Sequence, residues 1–390
     1  MRNQMKRIAV MAAKRSPVGK IPGNLNEIGE VELLARLLYS VSEGYQDRIA
    51  EAVVGSGFPI ERDNLCRKAV LRAGLRESIP ASTVSKTCAS SDQALLMACR
   101  AVWAGGSGAY LVGGSENVGQ NPYTLHFFKR NIKAALKGSL PELETAVKEI
   151  QENDMPILAE MLAWRYGISR EEQDLFTLKS WLCAQKAHKE KRFSDEILPA
   201  ETPLIVADEW LEVERNAAML RKAEPMFVHG GTVTQYNAAA MCNCAAAMLL
   251  MGEDEINLFV QPPMGFILDG LSVAVPRDCA GKAMDQCIRL LLQRNGLDKE
   301  DIGLYEVNES FAAQAISTIR NLGLQEQNVN VNGGNLALGY PIGATGMRMG
   351  ITLLYEMRRR GCRYGISTVC AGGNMANGFL WGGAEEYCYY

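Results

Sequence analysis

The sequence contains few residues of several types that usually mark a functional site. Histidine occurs three times in 390 residues, as His126, His188 and His229, so residues 230–390 have none. No Cys-x-x-Cys pair occurs, and the nearby pair Cys242 and Cys244 has no histidine beside it, which argues against a zinc site. The formal net charge of −3 provides no overall attraction to nucleic acid or to an anionic membrane.

Long apolar runs are also absent, and no run is long enough to cross a bilayer. The amino terminus has the basic start and short apolar run of a signal peptide, but Lys14 interrupts the run and no cleavage-like site follows. We therefore predict a first strand there. With 47% hydrophobic and 22% charged residues, the chain is expected to form a soluble globular protein of two or three domains.

The eleven cysteines do not have the pattern of a disulfide framework. Their number is odd, and several lie inside apolar helix or strand patterns, such as Cys99 and Cys287. Free cysteine behaves as a small buried hydrophobic residue, and disulfides are rare where the environment is reducing. We therefore predict reduced thiols and a cytoplasmic location.

Strand-like runs alternate with longer helical patterns at both ends of the chain, which predicts a layered α/β fold. The first half has strand patterns at Arg7–Met11, Ala52–Gly55, Ala81–Thr87 and Ala109–Gly114, and helical patterns at Val31–Glu43 and Gln93–Trp103. The second half has strand patterns at Gly265–Ala274, Gly303–Val307, Gly365–Cys370 and Phe379–Trp381, and helical patterns at Gly281–Asn295, Ser310–Asn321 and Ala344–Arg360.

The middle of the chain is richer in charge and in helical pattern. There Ser169 is followed by Glu172, which predicts a capping box at a helix start. We interpret residues 119–236 as a helical lid, inserted into a first half formed by residues 1–118 and 237–258, with 259–390 as the second half. The alternative is a separate helical domain without a function of its own.

Cys88 lies where a strand pattern gives way to a helical one. A thiol at a helix start is near unpaired backbone N–H groups and the positive end of the helix dipole, which predicts a lowered pKa and a reactive thiolate. Asn308, in an Asn-Glu-Ser-Phe segment, and Cys370, followed by Ala-Gly-Gly, also lie in segments typical of site-forming loops. Together these segments suggest cysteine-based acyl transfer.

These segments, taken in order along nearly the whole chain, resemble those of the thiolases, in the superfamily that includes the ketoacyl synthases. The segments that carry the resemblance are Val84–Ser91 (VSKTCASS), Gly113–Asn117 (GGSEN), Tyr166–Asp174 (YGISREEQD), Gly231–Ala240 (GTVTQYNAAA), Glu306–Gln314 (EVNESFAAQ), Asn332–Gly346 (NGGNLALGYPIGATG) and Cys370–Gly373 (CAGG). The resemblance implies a thiolase fold, with two similar βαβαβαββ halves in a layered α-β-α-β-α core and an inserted helical loop domain.

The resemblance also implies roles for particular residues. Cys88 would accept the acyl group as a thioester, which is both a covalent intermediate and a good leaving group. Cys370 would act as the general base, and Asn308 would hold a water in one oxyanion hole. The backbone N–H groups of Cys88 and Gly372 would form a second oxyanion hole, since fixed donors are needed where negative charge develops.

The remaining expectations concern ligands and assembly. Coenzyme A thioesters are expected as substrates, with no bound cofactor and no metal. Ala239, Met155, Phe311 and Arg215 are expected to line the substrate site. Arg215 is a candidate to meet phosphates, and the alternative is a solvated surface charge. A homodimer or homotetramer is usual in the family, and neither nucleic acid nor membrane is an expected partner.

At one position the chain departs from the family in a way that bears on chemistry. The family's Gly-His-Pro-Ile-Gly histidine, which takes the proton of the nucleophilic cysteine, is Tyr340 here. A tyrosine has an unperturbed pKa of about 10, against about 6.5 for histidine. Tyr340 is therefore a poor base at neutral pH, although its hydroxyl can donate a hydrogen bond to an oxyanion.

Three further departures weaken the expected coenzyme A site. Ala239 replaces a serine near the pantetheine, Glu212 replaces an arginine useful against the adenine nucleotide, and Asp154 replaces a histidine that faces the thioester. The leading hypothesis is acyl transfer from an acyl-CoA to Cys88 and then to an acetyl-CoA enolate or to CoA. The alternatives are transfer to an acyl-carrier protein or another carbon nucleophile, and a non-catalytic partner subunit.

Overall fold

A nine-stranded mixed sheet organises the fold. The computed structural model describes residues 6–58, 63–120, 155–201, 204–258, 262–276, 279 and 281–384. The large sheet consists of β1 (Ile8–Arg15), β2 (Ile49–Ser56), β3 (Ala81–Val84), β4 (Ala109–Glu116), β7 (Cys244–Gly252), β8 (Gly265–Ala274), β9 (Leu304–Val307), β10 (Tyr364–Ala371) and β11 (Met375–Gly383). A separate two-stranded sheet consists of β5 (Ala200–Glu201) and β6 (Leu204–Ile205).

The α-helices fall into three groups. Those of the first half are α1 (Glu30–Ser42), α2 (Leu65–Arg72) and α3 (Ser90–Trp103). Those of the inserted segment are α4 (Met155–Tyr166), α5 (Arg170–Lys189) and α6 (Ala217–Lys222). Those of the second half are α7 (Ala283–Asn295), α8 (Ala312–Leu322), α9 (Asn335–Leu338) and α10 (Thr345–Arg360). Among the described helices, none is both long and apolar enough to cross a membrane.

The sheet order reveals an internal repeat. The strands run β3-β2-β4-β7-β1-β8-β11-β10-β9. In the first half β2 is parallel to β4, β4 antiparallel to β7, and β7 antiparallel to β1; in the second half β9, β10, β11 and β8 repeat these directions. The counterpart of β3 is reduced to one parallel bridge between Tyr305 and Val329. The prediction of two similar halves is therefore confirmed.

Three apolar cores produce the layers. α1 and α2 pack on one face of the first-half strands, with Leu33, Leu34, Leu37 and Leu38 at the spacing of a one-sided helix. α3 and α10 pack together in the middle, and α7 and α8 cover the second-half strands. Every residue of β7 is buried, as expected for a strand covered on both faces.

The inserted helices pack against the second half. The Ser180 hydroxyl of α5 donates to the Glu309 carboxylate at 2.8 Å. Ser169 caps α5 by accepting from the Glu172 N–H at 3.1 Å, but the Glu172 carboxylate pairs with Arg320, so only this half of the predicted capping box is seen. Residues 121–154 of this segment lie outside the described residues, and the predicted domain boundaries stay predictions.

The sequence pattern predicted which helices and strands exist better than it predicted where they begin and end. The predicted strand Gly265–Ala274 has those bounds, whereas the helix predicted from Gln93 begins at Ser90. α2 and β7 had no predicted element of their own. The run of alanines and methionines in β7 has no strand alternation, because both of its faces are covered.

The start of α10 lies directly against the first half through a buried carboxylate. Glu116 accepts from the backbone N–H of Gly343 at 2.7 Å, Gly57 at 3.0 Å and Phe58 at 3.2 Å. Burial raises the pKa of Glu116, and these three hydrogen bonds lower it. A Cβ on Gly343 would lie 2.4 Å from the Gly57 nitrogen, so the close approach requires glycine there.

A buried ion cluster joins the inserted segment to β1. The Arg15 guanidinium donates to Asp208 through two bonds of 2.7 and 3.0 Å and to Glu196 at 2.7 Å. All three side chains are buried. Asp208 also accepts from the Val18 N–H at 2.8 Å, so its carboxylate is fully used by the first half.

We predict that Asp208→Asn lowers the free energy of unfolding by about 3–5 kcal/mol, because it leaves part of a buried charge uncompensated. Chemical denaturation followed by circular dichroism measures the change. Asp195→Asn, at an exposed position in the same region, is the matched control and should change the free energy by less than about 0.5 kcal/mol. Equal small effects of both substitutions would contradict the prediction.

Candidate active site

Four of the sequence-predicted residues meet where the two halves join. Cys88 precedes α3 of the first half. Asn308 follows β9, Cys370 lies near the end of β10, and Tyr340 precedes α10. Because β9 and β10 are parallel neighbours, their carboxyl ends lie together, and the Asn308 N–H bonds the Thr368 carbonyl at 3.0 Å.

The polar atoms of the second half form one connected network. The Asn308 Nδ2 lies 3.2 Å from the Cys370 sulfur, 3.2 Å from the Tyr340 hydroxyl and 2.9 Å from the Ser310 hydroxyl. Ser310 in turn donates to Tyr340 at 2.8 Å and lies 3.4 Å from the Cys370 sulfur. The Cys370 thiol also donates to Gln314 at 3.6 Å.

A chain of side chains behind the site orients Asn308. The Asn335 Nδ2 donates to the Asn308 Oδ1 at 2.5 Å, and the buried Arg348 guanidinium donates to the Asn335 Oδ1 at 2.5 Å. The Asn308 amide must therefore present its NH₂ group to the thiol and the hydroxyls. Asn335, Arg348 and Ser310 were not predicted as site residues, although Ser310 and Asn335 lie inside segments that carried the family resemblance.

Cys88 is half-buried in an apolar setting formed by Ala89, Met349, Val369 and Ala371. Burial, and secondly the charge of a Cys370 thiolate, raise the pKa of Cys88 to about 12. Three hydrogen bonds to the Cys88 sulfur lower this pKa and offset part of the increase. They come from the Tyr340 side chain, the Cys88 backbone N–H and the Thr87 side chain. The sequence prediction of a lowered pKa is therefore wrong for this structure.

The helix start offers less to the thiol than expected because two of the nearest backbone N–H groups already donate to carbonyls. α3 begins at Ser90, two residues after Cys88. The Ala89 N–H donates to the Lys86 carbonyl at 3.1 Å, and the Ser90 N–H donates to the Thr87 carbonyl at 3.2 Å. Because of these bonds, the helix start stabilises a Cys88 thiolate by less than the cost of burying its charge.

Tyr340 is buried between the two sulfurs. Burial, followed by the nearby charges of Cys88 and Cys370, raises the pKa of Tyr340 well above its ordinary value. Its hydroxyl therefore stays protonated at neutral pH and serves as a hydrogen-bond donor. The described histidines, His188 and His229, are both exposed, and His126 lies outside the described residues.

Thr87 has a strained backbone and blocks one predicted oxyanion donor. Its φ of 48° lies in the left-handed region, which is costly for a β-branched residue. Its hydroxyl accepts from the Gly372 N–H at 3.1 Å and hydrogen-bonds Cys88. The structure therefore places Gly372 beside the nucleophile segment, but with its N–H already occupied by Thr87.

Three of the four predicted substrate-site residues line an apolar wall next to Ser310 that consists of two clusters, with Phe311 and Met155 in one and Ala239 in the other. Phe311 packs with Ala159 and Val233, and Met155 lies against the same cluster. The Ala239 N–H donates to the Ser310 carbonyl at 2.9 Å. The wall therefore joins the inserted segment to the loop that carries Asn308.

Arg215 is in a different environment from the one expected. It is buried, its guanidinium donates to the Leu336 carbonyl, and it lies over the Trp210 ring at 5.6 Å. Burial lowers the pKa of Arg215. These contacts correct the expectation of an arginine free to meet phosphates; Glu212 is exposed, and Asp154 lies outside the described residues.

Metal-ligating side chains do not gather in the part of the chain that the structure describes: no group of three or more His, Cys, Asp or Glu residues there could hold a metal ion. The ten cysteines described are all free thiols. The arrangement of two thiols, two hydroxyls and a fixed amide is suited to covalent acyl transfer with proton movement between sulfur atoms.

Comparison with known sequences agrees with this geometry. Residues 8–254 match the thiolase N-terminal domain and residues 261–381 the thiolase C-terminal domain. The chain is 34% identical to an acetyl-CoA acetyltransferase of Chromobacterium violaceum, covering 94% of this chain and 97% of that one. It is 33% identical to a 3-ketoacyl-CoA thiolase of Bacillus subtilis, covering 95% and 98%.

Solved structures give the same result for the fold. Human mitochondrial 3-ketoacyl-CoA thiolase in complex with CoA superposes with a TM-score of 0.90 at 28% identity, covering 97% of this chain and 98% of that one. Acetyl-CoA acetyltransferase of Bacillus anthracis superposes with a TM-score of 0.88 at 29% identity, covering 98% and 100%. Two domain matches, an ordered set of motifs and a shared fold thus show that this chain belongs to the thiolase family of acyltransferases.

Proposed function

We propose that this chain is an acyl-CoA thiolase, and the observation that carries the proposal is the meeting of Cys88 and Cys370 around Tyr340. Each thiol comes from a different half of the fold, and the Asn308 amide contacts both Cys370 and Tyr340. A single thiol would support acylation alone. A second thiol beside the first also supports proton transfer to and from the second substrate.

In the first step the Cys88 sulfur attacks the carbonyl carbon of an acyl-CoA. The thioester C–S bond breaks, CoA leaves as the thiol, and the acyl group is held on Cys88. The Tyr340 hydroxyl donates to the developing oxyanion, as its high pKa keeps it protonated. For Asn308 to hold a water for the same charge, its NH₂ group must first leave Ser310 or Cys370.

In the second step Cys370 acts as the base. In condensation it takes an α-proton from acetyl-CoA, and the resulting enolate attacks the acyl carbon and releases Cys88. In thiolysis it takes the proton of the CoA thiol instead. The N–H groups of Cys88 and Gly372 are assigned to the second oxyanion, which requires the Thr87 hydroxyl to leave Gly372 when substrate enters.

The apolar wall of Met155, Phe311 and Ala239 is assigned to the acyl and pantetheine portions of the substrate. Arg215 is left out of this assignment because it is buried against Leu336 and Trp210. A homodimer or homotetramer and a cytoplasmic location, both expected from the sequence, stay predictions. The free thiols of the described residues suit a reducing compartment.

We predict that acetyl-CoA acetylates the native protein on Cys88 and releases an equal amount of CoA. Intact-protein mass spectrometry and a thiol assay measure the two products. Cys88→Ser should abolish the adduct, because a serine hydroxyl ionises far less readily than a thiol and is a weaker nucleophile. Cys362→Ser, which changes a partly buried cysteine outside the site, is the matched control and should keep the adduct.

Changing the acyl donor or the acceptor in the same experiment distinguishes the remaining alternatives. An adduct from an acetylated acyl-carrier protein but not from acetyl-CoA would replace the proposed donor. An adduct that neither acetyl-CoA nor CoA can discharge would replace the proposed acceptor. Absence of any adduct on native protein and on Cys362→Ser would favour a non-catalytic subunit and overturn the proposal.

We predict that alkylation of Cys88 by iodoacetamide is slow at neutral pH and rises about tenfold per pH unit between pH 7 and 10, without a plateau. The raised pKa of about 12 favours the protonated thiol, so the thiolate fraction keeps rising throughout this range. Peptide mass spectrometry after timed quenching measures the rate. A plateau near neutral pH would mean that Cys88 is already a thiolate there.

A further inference from the structure

The two hydroxyls of Tyr340 and Ser310 lie between the two thiols of the site. The Ser310 oxygen is 2.8 Å from the Tyr340 oxygen and 3.4 Å from the Cys370 sulfur. Tyr340 also faces Cys88, and donation by its hydroxyl lowers the pKa of Cys88. Ser310, Tyr340 and Cys370 are all buried, so bulk water does not compete along the series.

From this arrangement we propose that Tyr340 and Ser310 form a proton relay that carries the Cys88 proton to Cys370 when Cys88 is acylated. The inference rests on the proposed function and adds how Cys88 is activated when the described residues place no histidine in the site. Ser310 is thereby assigned a role in the reaction. Ser310 lies in the Asn-Glu-Ser-Phe segment, two residues after Asn308.

Hydrogen-bond directions are compatible with a relay. Each hydroxyl can donate one proton and accept from other groups. In the structure Ser310 donates to Tyr340, so the relay requires both hydroxyls to turn first, Ser310 toward the Cys370 sulfur and Tyr340 toward the Ser310 oxygen. Ser310 accepts from the Asn308 amide at 2.9 Å, and its contact with Cys370 can have either atom as donor.

The fixed orientation of Asn308 limits the alternatives. Its Oδ1 is occupied by Asn335, so it offers only N–H groups to the cluster. Its NH₂ group has two protons but three neighbours, namely Ser310, Tyr340 and Cys370. At any moment one of these three groups therefore receives no hydrogen bond from Asn308. The Ser310 hydroxyl can rotate between Tyr340 and Cys370 and donate to whichever of the two lacks that bond.

The proton balance closes over the acylation step. The relay starts from a Cys370 thiolate, so the thiol proton that Gln314 accepts in this structure must first leave to solvent. The S–H bond of Cys88 then breaks as an O–H bond forms on Tyr340; the original Tyr340 proton passes to Ser310, and the Ser310 proton passes to the Cys370 thiolate. Cys88 then attacks as a thiolate and Cys370 holds the proton as a thiol. When the thioester C–S bond breaks, the leaving CoA sulfur takes this proton, which returns Cys370 to the thiolate needed for the second step.

A relay explains how a buried tyrosine can replace a base. Tyr340 resists ionisation in this setting, so it cannot hold the Cys88 proton as a free tyrosinate would. In a relay it gains one proton while losing another and is never left ionised. The same argument applies to the serine hydroxyl, which does not ionise at neutral pH.

The test is Ser310→Ala, assayed by single-turnover acetylation of Cys88 with acetyl-CoA from pH 6 to pH 10. We expect the acylation rate at pH 7 to fall about 10²-fold, the scale of lost acid–base assistance. Raising the pH should narrow the gap, because hydroxide then removes the Cys88 proton directly. Ser310→Thr, which keeps the hydroxyl, should restore the rate.

The double variant Ser310→Ala with Tyr340→Phe sharpens the test. If both hydroxyls serve one relay, removing the second costs little once the first is gone, so the two losses should be strongly non-additive. Ser317→Ala, on α8 and bonded to the Gln314 carbonyl, is the matched control for losing a buried hydroxyl, and should leave acylation unchanged.

The possible outcomes distinguish this inference from the proposed function. Native-like acylation by Ser310→Ala, a loss that is equal at every pH, or additive losses in the double variant would each overturn the relay while leaving the thiolase assignment intact. No acylation of the native protein would overturn both. A pH-dependent loss with rescue by threonine supports the relay.

Discussion

The site depends on the buried Glu116 carboxylate, which joins the two halves at the start of α10. By accepting from Gly343 of the second half and from Gly57 and Phe58 of the first, it holds the Tyr340 segment against the first-half sheet. A nearby contact between the Met347 N–H and Ser91 joins α10 to α3, the helix that follows Cys88. These contacts add to the middle core, which both halves share, and hold the Tyr340 segment beside the helix that follows Cys88.

The same arrangement explains why the chemistry is unusual within a standard fold. Burial disfavours charge on Cys88 and Tyr340, and the described residues place no histidine in the site to accept a proton. The chain instead has a fixed amide, a tyrosine hydroxyl and a serine hydroxyl around the second thiol. Such a network has high local order, because Arg348 and Asn335 set the orientation of Asn308 from behind.

Some features of the fold and site were predictable because their signal is local or ordered along the chain. The alternation of buried strands and helices predicted the α/β class, and the order of seven motifs predicted the family. The meeting of Cys88, Asn308, Tyr340 and Cys370 also followed from those motifs. By contrast, β7 has no strand alternation, and α2 had no predicted element of its own, so neither was identified.

By itself, the sequence determined the repeated architecture and the identity of the two thiols, since hydrophobic periodicity and motif order are properties of the chain alone. The tertiary structure decided the burial, the hydrogen bonds and the pKa values of the side chains in the site. The raised pKa of Cys88, the Thr87 hydroxyl on Gly372, the burial of Arg215 and the place of Ser310 between Tyr340 and Cys370 all depend on atoms remote in sequence. Desolvation and hydrogen-bond distance exist only after packing, which is why no local pattern could have supplied them.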